Sequence, residues 1–512
     1  MADEVAIPVE DNVAIPVEMP ALPTPSVFAG RRKIFCDVTD IHAGNIERII
    51  SETMKIHRQN AEEIKYLMDY ERGITPIANR KKSGREDIDY RINENHAAEI
   101  KTFKVGYVFS SPITLVQRAV EDNKDSATDD KRVATLNEWL FEQGKAQKDK
   151  QLAEDFTTGG TGFRMVLPKK YPDGGASPFV ILPLQPTTTY VVYSNDVYQR
   201  PILGVSYVVS ADNKKHTIGA YTDTQYFELE GTAIGGGVRL VRTEKNGIGM
   251  VPIVEYRADD QRMGCFERVL DLLDAMSVLT SDRVNDVSQF VHNILWADNV
   301  QATPEQQAAV KSGGWLFTKS DSNTKAQIKY LTQTLDQSNT QSLVDWTYNQ
   351  ILQITGTPAR EKSSGGNTGQ AIVLSNGWQI AETAAKNTEV VFKDSEYRFL
   401  AVILNILKRC KDVPEEMKSL RLSDIDIKFS RSNTDSLLTK VQALQGLLEA
   451  GVEGLAAFKT VSLFSDPQQV WVDSKDTIEA KRKVKTDDER GNAAEGSDGR
   501  GAAGKPDVPP AE

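Results

Sequence analysis

Apolar residues recur every three to four positions between residues 40 and 72, at Ile46, Ile49, Ile50, Met54, Ile64, Leu67 and Met68. That spacing puts them on one side of a 3.6-residue helix and predicts an amphipathic helix. Asn93–Val108 predicts a second, ended ahead of Pro112 because the residue before a proline avoids the helical region. Leu136–Phe141 and Leu152–Phe156 predict short helical pieces. The period then changes. Phe163–Leu167, Phe179–Leu184, Tyr190–Tyr193, Gly204–Val209, His216–Tyr221, Gln225–Glu230, Val238–Arg242 and Ile253–Tyr256 are β-rich runs. Gly, Pro, Asn or Asp separates them, as turns between strands require. Beyond Asp260 helical spacing returns. Gly313-Gly314 and the polar run 318–329 interrupt it, and a last helical block covers 433–482.

Two of the helical stretches are long. Gln261–Trp296 would measure about 54 Å at 1.5 Å per residue. On it, Glu267, Asp271, Asp274, Asp282 and Asp286 fall on one stripe about 120° wide, with Ser281, Asn285 and Asn293 on or beside it. Phe266, Val269, Leu270, Leu273 and Met276 lie opposite. A solvated helix face would give the same pattern. Five carboxylates with no interleaved lysine repel one another, however, and that suits a face turned towards wide aqueous space. Asp271 and Asp274 could share a cation, but no histidine completes a metal site.

The second stretch, Gln370–Lys408, carries Leu374, Trp378, Ala381, Ala385, Thr388, Phe392, Ser395, Phe399, Val402 and Ile406 at alternating steps of four and three. This near-heptad seam would run for about 58 Å. It fits a core helix and equally one packed on a neighbouring subunit. Ahead of it, residues 357–369 form a polar Gly/Ser-rich loop that includes Arg360, Glu361, Lys362, Ser363, Ser364, Gly365, Gly366 and Asn367. Lys362 and the backbone amides suit transient contact with phosphate, but the GxxxxGK[ST] order of a nucleotide-binding loop is missing.

The bulk numbers change this picture in one respect. The 512 residues suggest about three domains, and 39% apolar with 26% charged residues suits a core-forming chain. The net charge, however, is −11 and the pI about 5.3. Proteins that grip nucleic-acid phosphates are usually basic. Either DNA is not the partner, or it is contained without being held. Cys36, Cys265 and Cys410 are far apart and odd in number, which excludes a disulfide framework and zinc-ligand spacing and predicts small buried thiols in a reducing cytosol. No run reaches the ~18 apolar residues of a membrane span, and no signal peptide is read. Residues 1–30, which repeat the hexamer VAIPVE at 5–10 and 13–18, predict a disordered tail, as do residues 486–512.

The five histidines, His42, His57, His96, His216 and His292, fall in no metal pattern, and GxSxG does not occur. No catalytic residue, metal or cofactor is expected, so the chain is read as not an enzyme. An enzyme acting on nucleic acid or nucleotides is the different-class alternative, with Asp259-Asp260 or Asp271/Asp274 as its acid pairs.

Several segments stand in a telling order. Pro252-Ile-Val-Glu-Tyr256 is followed by Gly264-Cys-Phe-Glu267, Val269-Leu270, Leu273-Asp274-Ala275, Ser281-Asp282, Asn285-Asp286 and Phe290. Upstream stand Val105–Ile113, with Ser110-Ser111 where a GYxxGxPI segment has its second Gly, and Ala153–Arg164 with its Gly-Gly-Thr-Gly. Gly366-Asn-Thr-Gly369 leads into the long helix. Together these resemble the portal proteins of tailed bacteriophages, siphophage type, over residues 35–480. The family's usual Asn pair after the PIVE-type strand is Asp259-Asp260 here.

The resemblance implies an α+β portal fold with a mixed α/β wing, a long α-helical stem, a small α/β clip and an α-helical crown. It places the wing at 31–260, the first stem helix at 261–297, the clip at 298–335 and the second stem helix at 336–356. The tunnel loop would be 357–369, the long wing helix and return strand 370–432, and the crown 433–485. It implies a ring of about twelve copies at one capsid vertex, assembled in the host cytoplasm and carried in the virion. Double-stranded DNA would pass through without sequence specificity, in packaging and in ejection. Terminase, scaffold or major capsid protein, and a head–tail adaptor would be the protein partners. Twelve copies of −11 give a wall of about −132, which repels phosphate and permits sliding. The five-acid stripe would line that channel. Another head–tail structural protein is the nearer alternative.

Overall fold

The computed structural model describes residues 30–81, 88–118, 131–170, 175–210, 215–232, 237–291, 295–298, 327–330, 338–359, 377–429, 437–461, 463–464 and 470–478. In chain order the helices are α1 Ile46–Glu71, α2 His96–Phe109, α3 Arg132–Glu142, α4 Lys145–Gly159, α5 Leu270–Val291, α6 Ser338–Thr355, α7 Trp378–Arg409, α8 Glu415–Lys418, α9 Leu437–Glu449 and α10 Gly454–Val461. The strands are β1 Ile34–Cys36, β2 Thr114–Gln117, β3 Thr161–Pro168, β4 Phe179–Leu184, β5 Thr189–Ser194, β6 Pro201–Val209, β7 Lys215–Tyr221, β8 Gln225–Thr232, β9 Arg239–Lys245, β10 Ile253–Arg257, β11 Leu295–Asp298, β12 Gln327–Tyr330 and β13 Ile425–Lys428. The chain is α+β. It divides into two compact units, one of residues 1–109 with 143–413, the other of 110–142 with 414–512. The expected wing, 31–260, is thus shared between the two.

In the larger unit, six strands form one sheet in the order β1-β5-β6-β7-β8-β9. β1 joins β5 in parallel, and the rest is an antiparallel meander. Side chains alternate across a strand, so Val205 and Tyr207, Ile218 and Ala220, Phe227 and Leu229 share one face. Ile46, Ile49, Ile50 and Met54 of α1 cover that face, as their helical spacing predicts. β9 is one of the two edge strands of this sheet, and its residues are mostly exposed: it carries Arg239, Arg242, Glu244 and Lys245. A second antiparallel sheet, β10-β3-β4, packs Phe163, Met165 and Ile253 against Val191 and Tyr193 of β5. A third cluster joins Leu67 and Tyr70 of α1 to Ile100 of α2, Leu270, Leu273 and Met276 of α5 and Ile351 of α6.

One buried polar group ties four elements together. Arg164 of β3, fully buried, contacts Asp149 of α4 at 2.5 Å and also Glu396 of α7. Lys145 reaches Asp149 at 2.5 Å and Glu396 at 2.9 Å. The Tyr256 hydroxyl of β10 accepts from Arg164 and donates to Glu396 at 2.7 Å. The guanidinium lies 3.8 Å from the centre of the Phe399 ring. Two cations and two anions balance, so the cluster is neutral.

The predicted helix over Gln261–Trp296 is shorter than its pattern. A 3₁₀ turn at Glu267–Val269 leads into α5, and Trp296 lies in β11, which pairs antiparallel with β12. Residues 261–266 are not helical: Arg262 has φ of +58°, its carbonyl accepts from the Arg31 amide at 3.2 Å, and the segment packs on the end of α4. The Cys265 amide donates to the Thr157 carbonyl at 2.8 Å. At Gly160, with φ of +83°, a Cβ would stand 1.9 Å from the Arg262 carbonyl oxygen. Only glycine fits there, which is a physical reason for the Gly-Gly-Thr-Gly at 159–162. Most of the seam of α7 is as read: Ala381, Ala385, Phe392, Ser395, Phe399, Val402 and Ile406 are buried, while Trp378 and Thr388 are half-buried. Residues 370–376, the expected start of that helix, lie outside the described residues.

In the smaller unit β2 and β13 pair antiparallel. The Asn137 side chain of α3 donates to the Leu115 carbonyl at 2.8 Å. Leu444 of α9 and Ala457 and Phe458 of α10 form a small separate core.

Candidate functional site

α5 carries the stripe of acids, and the structure divides it. Glu267 is fully buried: Arg31 approaches it at 2.6 Å, and the Gly264 amide donates to it at 2.8 Å. Arg31 also reaches Glu63 at 3.1 Å. Asp274 is buried and accepts from the Tyr70 hydroxyl at 2.8 Å. Burial pushes its carboxyl up to about 6, against the hydrogen bond from Tyr70. The expectation that Glu267 and Asp274 stand on an open face is therefore corrected: both are packed inside their own chain.

The polar residues beside them explain why. Ser281 Oγ accepts from the Ile92 amide at 2.9 Å. Asn285 accepts from the Tyr90 amide at 2.8 Å and donates to the Tyr90 carbonyl at 3.2 Å. Asp274, Ser277, Ser281 and Asn285 follow at helical steps and are all buried. At Ser281 and Asn285 this polar face satisfies the backbone of an extended segment laid along α5, where buried amides and carbonyls need partners.

Asp271 and Asp286 are exposed. Asp282 is half-exposed and forms a two-pronged ion pair with Arg80, at 2.9 and 3.1 Å. On α5 these three lie within roughly 60° of arc. A narrower carboxylate face thus remains, one member of it neutralised by Arg80. The loop residues Arg360, Glu361, Lys362, Ser363, Ser364, Gly365, Gly366 and Asn367 lie outside the described residues.

Sequence reasoning missed the Arg164 cluster and the Arg31–Glu63–Glu267 group. Arg164 did leave a signal, as a lone charge in the otherwise apolar run Phe163–Leu167. A charge there needs a buried partner. The partners, far away in sequence, left none.

A family model described as phage portal protein, SPP1 Gp6-like, matches residues 51–485 of the chain. No curated protein matches it.

Proposed function

Because the chain belongs to the SPP1 Gp6-like family of phage portal proteins, we propose that about twelve copies close into a ring at one capsid vertex. Double-stranded DNA enters and leaves the head through that ring. In this reading α5 and α6 form the stem, 298–335 the clip that receives terminase and later the head–tail adaptor, 357–369 the tunnel loop and 433–485 the crown. The observation that carries it is the family match, which spans most of the sequence. Negative-stain imaging of the purified protein tests it. End-on rings with a central hole and near-twelvefold symmetry are the expected result. Monodisperse monomers at high concentration, with no rings even beside the scaffold protein, would overturn it.

The channel wall in this proposal is the narrower face of α5. Asp271 and Asp286 point to the lumen and repel phosphate, so a polyanion slides without sticking. Glu267 and Asp274 have no part in it. Changing Asp271 and Asp286 together to Lys would shift a twelve-copy ring by about +48 charges. Both side chains are exposed, so rings should still assemble while the packaging rate falls several-fold. A packaging assay that returns the wild-type rate for this double variant would sink the acidic-wall idea and leave ring formation untouched.

A further inference from the structure

A cavity of about 330 Å³ opens in the larger unit, between α2, the end of α4, the 258–268 segment, the end of α6 and the first half of α7. That is the size of a small-molecule site. Three features of its wall stand out.

Lys104 of α2 lines it and makes no hydrogen bond or ion pair among the described residues. Burial holds its ammonium below the usual lysine range. Neighbouring Cys265 does not neutralise it, because burial pushes that thiol up to about 12. The other cation in the wall, Arg268, is already engaged, with Asp259 at 3.3 Å and Gln261 at 3.2 Å. A partly buried charge left without a partner is costly, and an incoming anion removes the cost.

The rest of the wall is mixed. Phe103 and Tyr107 stack on one another, with ring centres 5.6 Å apart, and both line the cavity. Across it, Ala381, Ala384 and Ala385 of α7 leave the volume open where larger side chains would close it. Asn387 and Thr388 add polar groups at the same wall.

We infer that this cavity binds a small organic anion, its phosphate or carboxylate against Lys104 and its apolar body against the aromatic rings of α2. The inference does not depend on ring formation or on the course of DNA.

Isothermal titration of the full-length protein with phenyl phosphate tests it, with inorganic phosphate and phenol as the two halves of the probe. Phenyl phosphate should bind saturably, one per chain, and more tightly than either half. Lys104→Met should weaken it by roughly tenfold or more, the worth of a charge-assisted hydrogen bond. Ala384→Phe should block it while the melting temperature stays near wild type. The inference is overturned by no saturable binding, by equal affinity in Lys104→Met, or by inorganic phosphate binding as tightly as phenyl phosphate. Should Lys104→Met fail to fold, undiminished binding to Ala384→Phe overturns it alone.

Discussion

Replacing Arg164 with methionine is expected to destabilise the chain by about 3–5 kcal/mol, the usual cost of removing one partner from a buried ion group. The guanidinium contacts Asp149, Glu396 and the Tyr256 hydroxyl and covers the Phe399 ring. Without it, two buried carboxylates face Lys145 alone. Burial would raise the Glu396 carboxyl. Arg164, then Lys145 and the Tyr256 hydroxyl, hold it below the ordinary carboxylate range. With Arg164 gone that compensation weakens, and Glu396 must take up a proton or remain charged without enough partners. Urea unfolding followed by tryptophan fluorescence measures the loss. Glu396→Gln in the Arg164→Met background should then cost far less than Glu396→Gln in the wild type, because the two side chains act as one unit. An Arg164→Met chain within about 1 kcal/mol of wild type would show that the cluster does not hold β3, β10 and α7 together.

The second large effect is a dependence on pH that belongs to His57. This histidine stacks on Tyr190 with ring centres 4.5 Å apart, meets Tyr207 edge-on at 5.7 Å, and lies 3.2 Å from the Thr187 carbonyl through Nε2. Burial lowers its pKa to about 4, against the hydrogen bond to Thr187, with Arg58 adding to the fall. The folded chain keeps the ring neutral down to about pH 4, while the unfolded chain protonates it below about 6.5. Between those values the unfolded state binds the extra proton. The contribution is therefore complete above pH 6.5 and is lost as the pH falls towards 4, by about 3 kcal/mol in all.

Three carboxyls act in the opposite sense. Burial pushes Asp155 and Glu267 up to about 7 and Asp274 up to about 6, so for them the folded state takes the proton first and acid stabilises. The His57 effect is isolated by comparing wild type with His57→Gln, which keeps a donor for Thr187 but does not titrate. The wild type should lose about 3 kcal/mol relative to the variant between pH 7 and pH 4. Parallel stability curves for the two proteins would refute the assignment.

The β-rich half of the larger unit was legible because its sheet has one covered face. Val205 and Tyr207, or Phe227 and Leu229, can point to α1 only in one register, so a period of two marks strand and burial together. The seam of α7 was legible for the matching reason at helical period. The acids of α5 were not. Periodicity gives the angle of a side chain about its own helix, but it is blind to what lies against that side. Ser281 and Asn285 looked like a wet face because they are polar. They are polar because the segment at Tyr90–Ile92 presents bare backbone to them. The start of α5 was misread in a similar way. Helical spacing continues back to Gln261, but the close contacts of Gly160 and Cys265 keep that stretch out of the helix.

The β9 edge of the six-stranded sheet bears on aggregation. An edge strand offers a free row of amides and carbonyls to any similar strand it meets, which is how fibrils grow. Arg239, Arg242, Glu244 and Lys245 make such pairing unfavourable at this edge. Newly synthesised subunits at high concentration are thereby steered away from strand-to-strand association. Neutralising those four residues would be felt as precipitation during expression rather than as a lower melting temperature.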